Sequence, residues 1–307
     1  MTYLLLFIFF FSMQNFAQAQ QLVMEGEATA KYESLTYKTD GIPDQEFVER
    51  TIRLTVRSPL SEQTSLFLRL GHQAYSGNSI DPERTAIDQY GLTWKSPTQT
   101  ITIGSQETYL GAYGAMFDNS SNVGAGMFRG IDIRGTSGLD RYHLVSGRLD
   151  SRLFEDAQAR SVYGAEWAHY AGDTRLLASY LHMPDLPKEA EHFVGFSINS
   201  PAGKGEWLAE FVRSSAPAAN HALLVGVNYQ PTNYQALKLV AGRIADNAIP
   251  EGIASLGGYD NDIRGGQFTA IQALNPSNRI AIKYTRAETI TSHIPIRKTE
   301  LEYTYLF

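Results

Sequence analysis

The sequence predicts an all-β fold, a transmembrane antiparallel up-and-down β-barrel of about sixteen strands. Three observations predict it. Apolar and polar residues alternate along most of the chain, the connections between the alternating segments are short and long by turns, and an apolar run followed by an A-x-A pattern lies near the first residue. The composition agrees with a β-rich protein, because aromatic residues are 11% and charged residues only 19% of the 307 residues, against about 25% charged in average soluble domains.

The first residues of the chain have the pattern of an export signal. Residues 3–13 form an apolar run of the length of a secretory signal core, and the run is shorter than the roughly 20 residues that a spanning helix needs. An A-x-A cleavage pattern follows at 17–19. We therefore expect a signal peptide at 1–19 and a single mature barrel domain at 20–307. Residues 1–12 contain no Lys or Arg, so a retained N-terminal anchor is the alternative.

Composition excludes several classes of protein. The chain has no Cys, which excludes a disulfide-stapled fold, a thiol enzyme and a zinc or iron–sulfur site with Cys ligands. The formal net charge is −6, whereas a protein that binds nucleic acid needs a basic face. We therefore expect no nucleic-acid partner.

Four segments show the alternation most clearly, namely 24–33, 48–57, 65–70 and 299–307. Side chains two residues apart point to the same face of a strand, so each segment has one apolar face and one polar face. Twelve further candidate strands complete the set of sixteen: 86–95, 100–106, 129–136, 141–149, 161–170, 175–183, 190–198, 205–213, 221–229, 234–243, 263–274 and 279–287.

The connections between these strands alternate in length. Short turns rich in Pro, Gly, Asn and Asp, the residues that tight hairpins use, lie at 58–62, 96–99, 137–140, 171–174, 199–204, 230–233 and 275–278. Longer connections lie at 38–45, 76–85, 107–128, 150–160, 184–189, 214–220, 244–262 and 288–296. Short turns at one rim and long loops at the other are typical of an outer-membrane barrel.

The polar faces carry many charges, which need water beside them. Glu25, Glu27 and Glu33 share a face with Lys31 on the first strand. In hydrocarbon every backbone N–H and C=O needs a partner within the protein, and a sheet provides this only by closing on itself. We therefore expect apolar side chains on the lipid face and charged side chains in a wet lumen. A two-layer sandwich with outward polar faces is also compatible with the alternation alone.

Aromatic residues predict a girdle at the membrane–water interface, where their apolar rings and polar tips each meet a suitable solvent. Tyr303, Tyr305 and Phe307 form an outward row, and Trp94 and Tyr229 each lie beside a short turn.

These residues resemble a known family. Phe307, preceded at alternate positions by Tyr305, Tyr303 and Leu301, resembles the C-terminal strand by which outer-membrane barrels are recognised for assembly. With the signal peptide and the strand count, the chain resembles the Gram-negative general porins. The stretch 90–106 is similar to their fourth and fifth strands. The Pro-Glu-Phe-Gly-Gly motif usual in that family is absent from 107–128.

The resemblance implies location, partners and activity. The protein would lie in the bacterial outer membrane, contact lipid there, and be inserted by the barrel assembly machinery through its C-terminal strand. It would form a water-filled channel for passive diffusion of ions and small hydrophilic solutes, with no enzymatic activity and no cofactor. Porins of this type commonly form homotrimers, and the small outward residues Gly26, Ala28 and Ala30 offer a surface for packing against a neighbour.

The long connection at 107–128 is the candidate for a pore constriction. It has glycines for sharp bends, no Lys or Arg, and only the acidic charges Glu107 and Asp118. The resemblance implies that this long third loop folds into the lumen with Asp118 facing the water. An exposed loop that caps the barrel is the alternative.

Basic residues at polar positions are candidates for the opposite wall. Facing charges across a water-filled constriction create a transverse field that sorts ions and orients dipolar solutes. Mid-strand candidates are Lys31, Arg53 and Arg69, and candidates nearer strand ends are Arg57, Lys95 and Arg134.

Other sites are poorly supported by the sequence. The seven His residues occur singly, without the spacing of a metal site, and GFSIN at 195–199 lacks the second Gly of a nucleophile elbow. An acidic DND at 260–262 is a candidate Ca²⁺ ligand set at the outer surface. The alternative functions are a secreted soluble β-sandwich binding module, a solute-specific outer-membrane channel, and a barrel enzyme with a catalytic pair at the membrane rim.

Overall fold

A computed structural model describes residues 22–39, 41–79, 81–112, 116–119, 123–124, 126–150, 158–184, 186, 190–250, 256 and 261–307. The predicted signal peptide at 1–19 lies outside these residues. Within them, sixteen antiparallel strands close into one barrel and two further strands form a small separate sheet. In the same part of the chain, no helix is long and apolar enough to cross a membrane.

The strands that form the barrel are β1 (Val23–Tyr37), β2 (Gln45–Pro59), β3 (Thr64–Gly77), β4 (Arg84–Lys95), β5 (Gln99–Gln106), β8 (Phe128–Ser137), β9 (Asp140–Leu149), β10 (Arg160–Ala171), β11 (Thr174–His182), β12 (His192–Ala202), β13 (Gly205–Ser214), β14 (His221–Thr232), β15 (Gln235–Ile244), β16 (Ile263–Asn275), β17 (Asn278–Thr289) and β18 (Pro295–Leu306). The small sheet pairs β6 (Tyr109–Leu110) with β7 (Phe117–Asp118). Each of the sixteen predicted strands corresponds to one barrel strand, so the predicted fold class is confirmed.

The barrel closes where β1 pairs with β18. Two backbone hydrogen bonds extend this seam by one residue, from the Gly26 N–H to the Phe307 carbonyl at 2.7 Å and from the Phe307 N–H to the Gly26 carbonyl at 2.9 Å. The Phe307 ring lies directly over Gly26, where an added Cβ would approach the ring to 2.2 Å. Closure removes the exposed edges that an open sheet would present.

The two rims differ as predicted. We call the end with the seven short turns the turn rim and the other end the loop rim. Gly172 and Gly203 lie in two of the short turns with φ of 61°, a conformation that glycine adopts at little cost. The alternation of connection lengths therefore sorts the loops to opposite ends of the barrel.

The outward face is apolar and exposed. Large side chains that point away from the barrel axis expose about half of their surface, among them Ile52 at 50%, Leu239 at 56% and Ile282 at 48%. Monomeric soluble proteins rarely expose contiguous apolar surface on this scale. This continuous band, on a single closed sheet, argues against the soluble sandwich.

The lumen is not polar throughout, and here the sequence prediction is wrong. Near the loop rim, β9–β15 point apolar side chains inward, and these form a buried cluster with the loop after β5. The members on the wall include Val145, Leu149, Val162, Leu181, Phe193 and Val212. The inward face is apolar here because part of the polypeptide, and not water, occupies this side of the lumen.

Candidate pore constriction

The connection at 107–127 between β5 and β8 is called L3, and its described residues, 107–112, 116–119, 123–124 and 126–127, lie inside the barrel. Three inward-facing glycines on the wall leave room for its apolar side chains, and a Cβ at each would approach the facing L3 atom to between 2.5 and 2.7 Å. The contacts are Gly164 on β10 with Leu110, Gly195 on β12 with Met116, and Gly71 on β3 with Val123. L3 thus contacts strands on opposite sides of the barrel, as the predicted in-folded loop requires.

Buried polar contacts fix the base of L3. The Thr108 hydroxyl donates to Asp132 Oδ2 at 2.6 Å, and the Thr108 N–H donates to Asn119 Oδ1 at 2.7 Å. The Asn119 amide in turn donates to the Gly126 carbonyl at 2.9 Å. Since buried polar groups cost free energy when unpaired, these bonds favour one conformation of the loop. Asp118 lies on β7 opposite Tyr109 and is half-buried.

The predicted basic Arg69 and acidic Glu107 form a direct ion pair. Arg69 Nη2 lies 2.6 Å from Glu107 Oε1, and its Nε and Nη2 donate to the two carboxylate oxygens of Asp88 at 2.8 and 3.0 Å. The side chains of Arg69 and Asp88 are only 10% and 0% exposed. The two predicted charges therefore meet on one wall, which differs from the expected arrangement of opposed clusters, and Asp88 is a partner that the sequence did not identify.

Lys31 belongs to a chain of paired charges on the same wall. Its ammonium lies 2.6 Å from Glu49 and 3.5 Å from Glu33, and Lys298 lies 3.1 Å from Glu33. Gln73 connects this chain to L3, because its amide donates to Glu49 at 2.9 Å while its oxygen accepts the Val123 N–H at 3.3 Å. The charged wall thus holds the loop as well as lining the lumen.

Three further basic candidates, Arg53, Arg57 and Lys95, lie on β2 and β4. Arg53 lies 3.4 Å from Glu27, and Arg57 lies 3.7 Å from Glu25 with both side chains largely exposed. Lys95 is exposed at the end of β4. Arg53 lines one cavity with Arg69 and Glu107 and so belongs to their group, whereas Arg57 and Lys95 do not line that cavity.

Arg134 lines a separate lumen cleft on the turn-rim side of L3. Its guanidinium carbon lies 5.1 Å from the centre of the Tyr109 ring, and its Nε lies 3.0 Å from Asp132. The cleft has a volume of about 640 Å³. We call it the vestibule and define it by Tyr109, Arg134, Arg141, Glu166, Tyr170 and Arg175.

Sequence reasoning missed two of the vestibule arginines. Arg141 lies 4.8 Å from the centre of the Tyr170 ring, and Arg175 lies opposite Tyr170 in the strand register. Both residues occupy lumen-facing positions beside short turns, so the same alternation of polar and apolar residues that identified Arg134 also predicts that they face the lumen. Glu166 accepts the Gly111 N–H at 2.8 Å and so joins the vestibule to L3.

The predicted girdle residues lie on the outward face near the turn rim. Tyr229, Tyr303 and Tyr305 are each 42% exposed and Phe307 is 57% exposed, whereas Trp94 is half-buried. Tyr305 and Phe307 stack with ring centres 5.7 Å apart. Their position fits an interfacial belt, which remains a prediction.

The predicted calcium ligand set at 260–262 lies partly outside the described residues, so it stays a prediction. Asp260 lies outside the described residues, and the Asp262 carboxylate accepts hydrogen bonds from the Thr291 N–H and hydroxyl. No group of three metal-ligating side chains occurs among the residues that the structure describes.

Comparisons with known proteins identify the fold. No family model and no curated protein matches the chain. Among solved structures, it is similar to OmpF of Salmonella typhi in complex with daunomycin, at a TM-score of 0.64 and 13% identity over 93% of this chain and 97% of that chain. It is also similar to variants of the Rh. blastica porin, one with a TM-score of 0.62 and 9% identity over 94% of this chain and 100% of that chain. At such identities the likeness is one of fold.

Proposed function

We propose that the protein is an outer-membrane channel through which ions and small hydrophilic solutes diffuse passively. The observation that carries the proposal is L3, which lies inside a closed barrel and begins against a wall of paired charges, where Glu107 contacts Arg69. An apolar outward face supports insertion in a bilayer, where only closed barrels and helices satisfy the backbone. Charged lumen groups support a wet passage.

In this proposal solutes pass between L3 and the charged wall. Arg69, Asp88, Glu107 and the Lys31 group line one side, and Asp118 on β7 belongs to the loop. Because most of these charges are paired with each other, we infer that they hold the loop and the water, and that ion preference depends mainly on the vestibule residues Arg141 and Arg175.

A planar-bilayer recording of the purified protein under a salt gradient tests the proposal. We expect stepwise currents, and we expect Asp118→Asn to shift the reversal potential toward anion preference because it removes one negative charge from the passage. Asp173→Asn, in a short turn, is the matched control and should leave the potential unchanged. Absence of any channel current from protein that is folded would contradict the proposal.

A solute-specific channel is a second candidate, and the vestibule favours it. Arginines beside tyrosine rings form a site that suits a planar anionic solute. The response to such a solute distinguishes the two candidates. In a specific channel the solute blocks the ion current in a saturable manner. In a general channel the effect of the solute on conductance depends only on the size of the solute.

The partners and assembly of the chain belong to the same proposal. We expect a homotrimer in outer-membrane lipid, with barrel assembly directed by the strand that ends in Tyr305 and Phe307. The outward Ala28 and Ala30 beside this seam leave a small-residue surface for a neighbouring copy. Chemical cross-linking of the protein in membranes, followed by electrophoresis, measures the number of subunits.

A further inference from the structure

The outward face of β15–β18 carries four exposed arginines just below the loop rim. They are Arg243, Arg264, Arg286 and Arg297, one on each of four consecutive strands. Each has an apolar or small residue two positions nearer the turn rim on the same face. No part of the channel proposal uses these side chains, since they point away from the lumen.

The strand register places these arginines directly opposite one another. Arg243 is the register partner of Arg264, and Arg286 is the register partner of Arg297. Like charges in directly opposed positions destabilise a sheet. Among the described residues the one ion pair in this group joins Arg264 to Glu288 at 2.5 Å, and no carboxylate lies within ion-pair distance of the other three arginines. The directly opposed Arg286 and Arg297 therefore have no carboxylate partner in the part of the chain that the structure describes.

A cleft lies between the arginines. It has a volume of about 640 Å³ and opens outward. Lys38, Arg264, Arg286 and Arg297 line it, together with Gly265 and Glu288. The cleft is thus lined by four cationic side chains and one carboxylate. Guanidinium groups bind phosphate oxygens in a bidentate manner.

An apolar surface continues from the arginines toward the turn rim. Phe268 is four residues from Arg264, Tyr284 is two from Arg286, and Leu301 is four from Arg297, all on the outward face. Their exposed fractions are 42%, 42% and 48%. A free phosphate ion would use only the arginines, whereas a ligand with a phosphate headgroup and acyl chains would cover both surfaces.

We propose that this basic patch, defined by Lys38, Arg264, Arg286 and Arg297, binds the phosphate of an anionic acylated lipid in the leaflet on the loop side of the barrel. The proposal rests on the membrane location in the proposed function. It goes beyond that function, because it assigns a lipid site on the outer wall that conduction does not require.

Two other outward arginines provide a matched control. Arg50 has Ala30 and Ala74 as register partners, and Arg213 has Val194 and His221. Neither faces another arginine, so neither forms a comparable cleft. The substitutions Arg50→Gln and Arg213→Gln together remove the same charge from the same face as Arg286→Gln with Arg297→Gln.

Native mass spectrometry of the detergent-purified full chain tests the proposal. The probes are phosphatidic acid, phosphatidylcholine with the same acyl chains, and inorganic phosphate. We expect phosphatidic acid adducts on the wild-type protein, and roughly thirtyfold weaker binding after Arg286→Gln with Arg297→Gln, since each interfacial arginine contributes modestly to anionic-lipid binding. The control pair should bind like the wild type.

Several outcomes would overturn the lipid site. These are equal binding by the double variant and the wild type, equal binding of phosphatidylcholine, or inorganic phosphate binding as tightly as the lipid, which would show a site for free anions. Bilayer conductance, measured on the same variants, is expected to be unchanged because the patch lies outside the lumen. Adducts on a protein without conductance would support the lipid site while contradicting the channel.

Discussion

At the scale of single residues, the pairing of Arg69 explains why a charged side chain lies buried in the barrel. Its guanidinium satisfies both oxygens of Asp88 and also reaches Glu107. Because the Asp88 side chain has no exposed surface, its charge depends on this partner. The role of Arg69 is therefore as much to neutralise Asp88 and anchor the start of L3 as to present charge to the lumen.

Replacing Arg69 should destabilise the barrel. We expect Arg69→Gln to lower the free energy of unfolding by about 3–5 kcal/mol, the usual cost of leaving a buried charge unpaired, and Arg69→Gln with Asp88→Asn to recover a large part of the loss. Urea unfolding in lipid vesicles measures both. Arg57→Gln, which breaks a largely exposed pair, is the control and should cost under about 1 kcal/mol. A loss of similar size for Arg57→Gln would contradict this assignment.

Residue-scale partners were the least predictable part of the site. The alternation indicated that Lys31, Arg53 and Arg69 face the lumen, but pairing depends on which residues lie opposite across strands. A bulge shifts the register between β3 and β4 next to Arg69, and this irregularity sets the position of Asp88. No local pattern in the sequence reveals such a shift.

At the scale of elements, strands and turns were predictable because they depend on local chemistry. Period-two alternation and turns rich in Gly, Pro and Asn are visible over ten residues or fewer. The apolar lumen wall was not predictable in this way, since β12, with Phe193 inward and Val194 and Phe196 outward, is apolar on both faces. Which apolar face contacts L3 is decided by a segment far away in the sequence.

At the seam of the barrel, the start of β1 is held against the end of β18 by contacts of Gly26 with Phe307. Gly26 carries no side chain, so the Phe307 ring can cover the first strand while the backbones exchange two hydrogen bonds. The sequence identified Phe307 as part of an aromatic row and Gly26 as one of three small outward residues. Only the structure joins them, and the contact leaves Ala28 and Ala30 as the open part of that surface.

The position of L3 depends on the wall glycines, and a substitution there should move the loop. We expect Gly195→Leu to displace Met116, because a Cβ at residue 195 would already lie 2.6 Å from its Cε, and overpacking of this kind typically costs about 1–3 kcal/mol. Gly195→Leu with Met116→Ala should restore the position by making room.

The chain has no Cys, so a cysteine introduced by Ala112→Cys can be labelled selectively and measures how accessible L3 is. Its labelling rate with a charged maleimide should rise roughly tenfold in Gly195→Leu, in keeping with the strain expected from overpacking, and return toward the starting rate in the double variant. Ala241→Leu, on the exposed outward face of β15, is the control. An unchanged labelling rate in Gly195→Leu would show that L3 is not held against β12.

At the scale of the whole molecule, the barrel is divided into two unlike halves. One wall, from β1 to β4 with β18, carries paired charges, and the other, from β9 to β15, is covered by L3 near the loop rim. The water path in the proposed channel therefore runs along the charged wall and widens into the vestibule beyond the loop. The arginines there are the basic groups that solutes meet on the turn-rim side of L3.

This arrangement predicts which charges control ion preference. Arg134 is paired with Asp132, whereas in the part of the chain described no carboxylate lies within ion-pair distance of Arg141 or Arg175. The double substitution Arg141→Gln with Arg175→Gln should shift the reversal potential under a KCl gradient toward cation preference. We expect the relative chloride permeability to fall at least about twofold, because each unpaired charge acts on passing ions over a short distance in water.

The control for this experiment removes two charges from outside the lumen. Arg50→Gln with Arg213→Gln changes the net charge equally, but both side chains lie on the outward face, so the reversal potential should stay at the wild-type value. The shift should also shrink as the salt concentration rises, since the Debye length falls from about 10 Å at 0.1 M to about 3 Å at 1 M. Equal shifts in the two double variants would mean that net charge governs ion preference, and the vestibule would then have no special part in it.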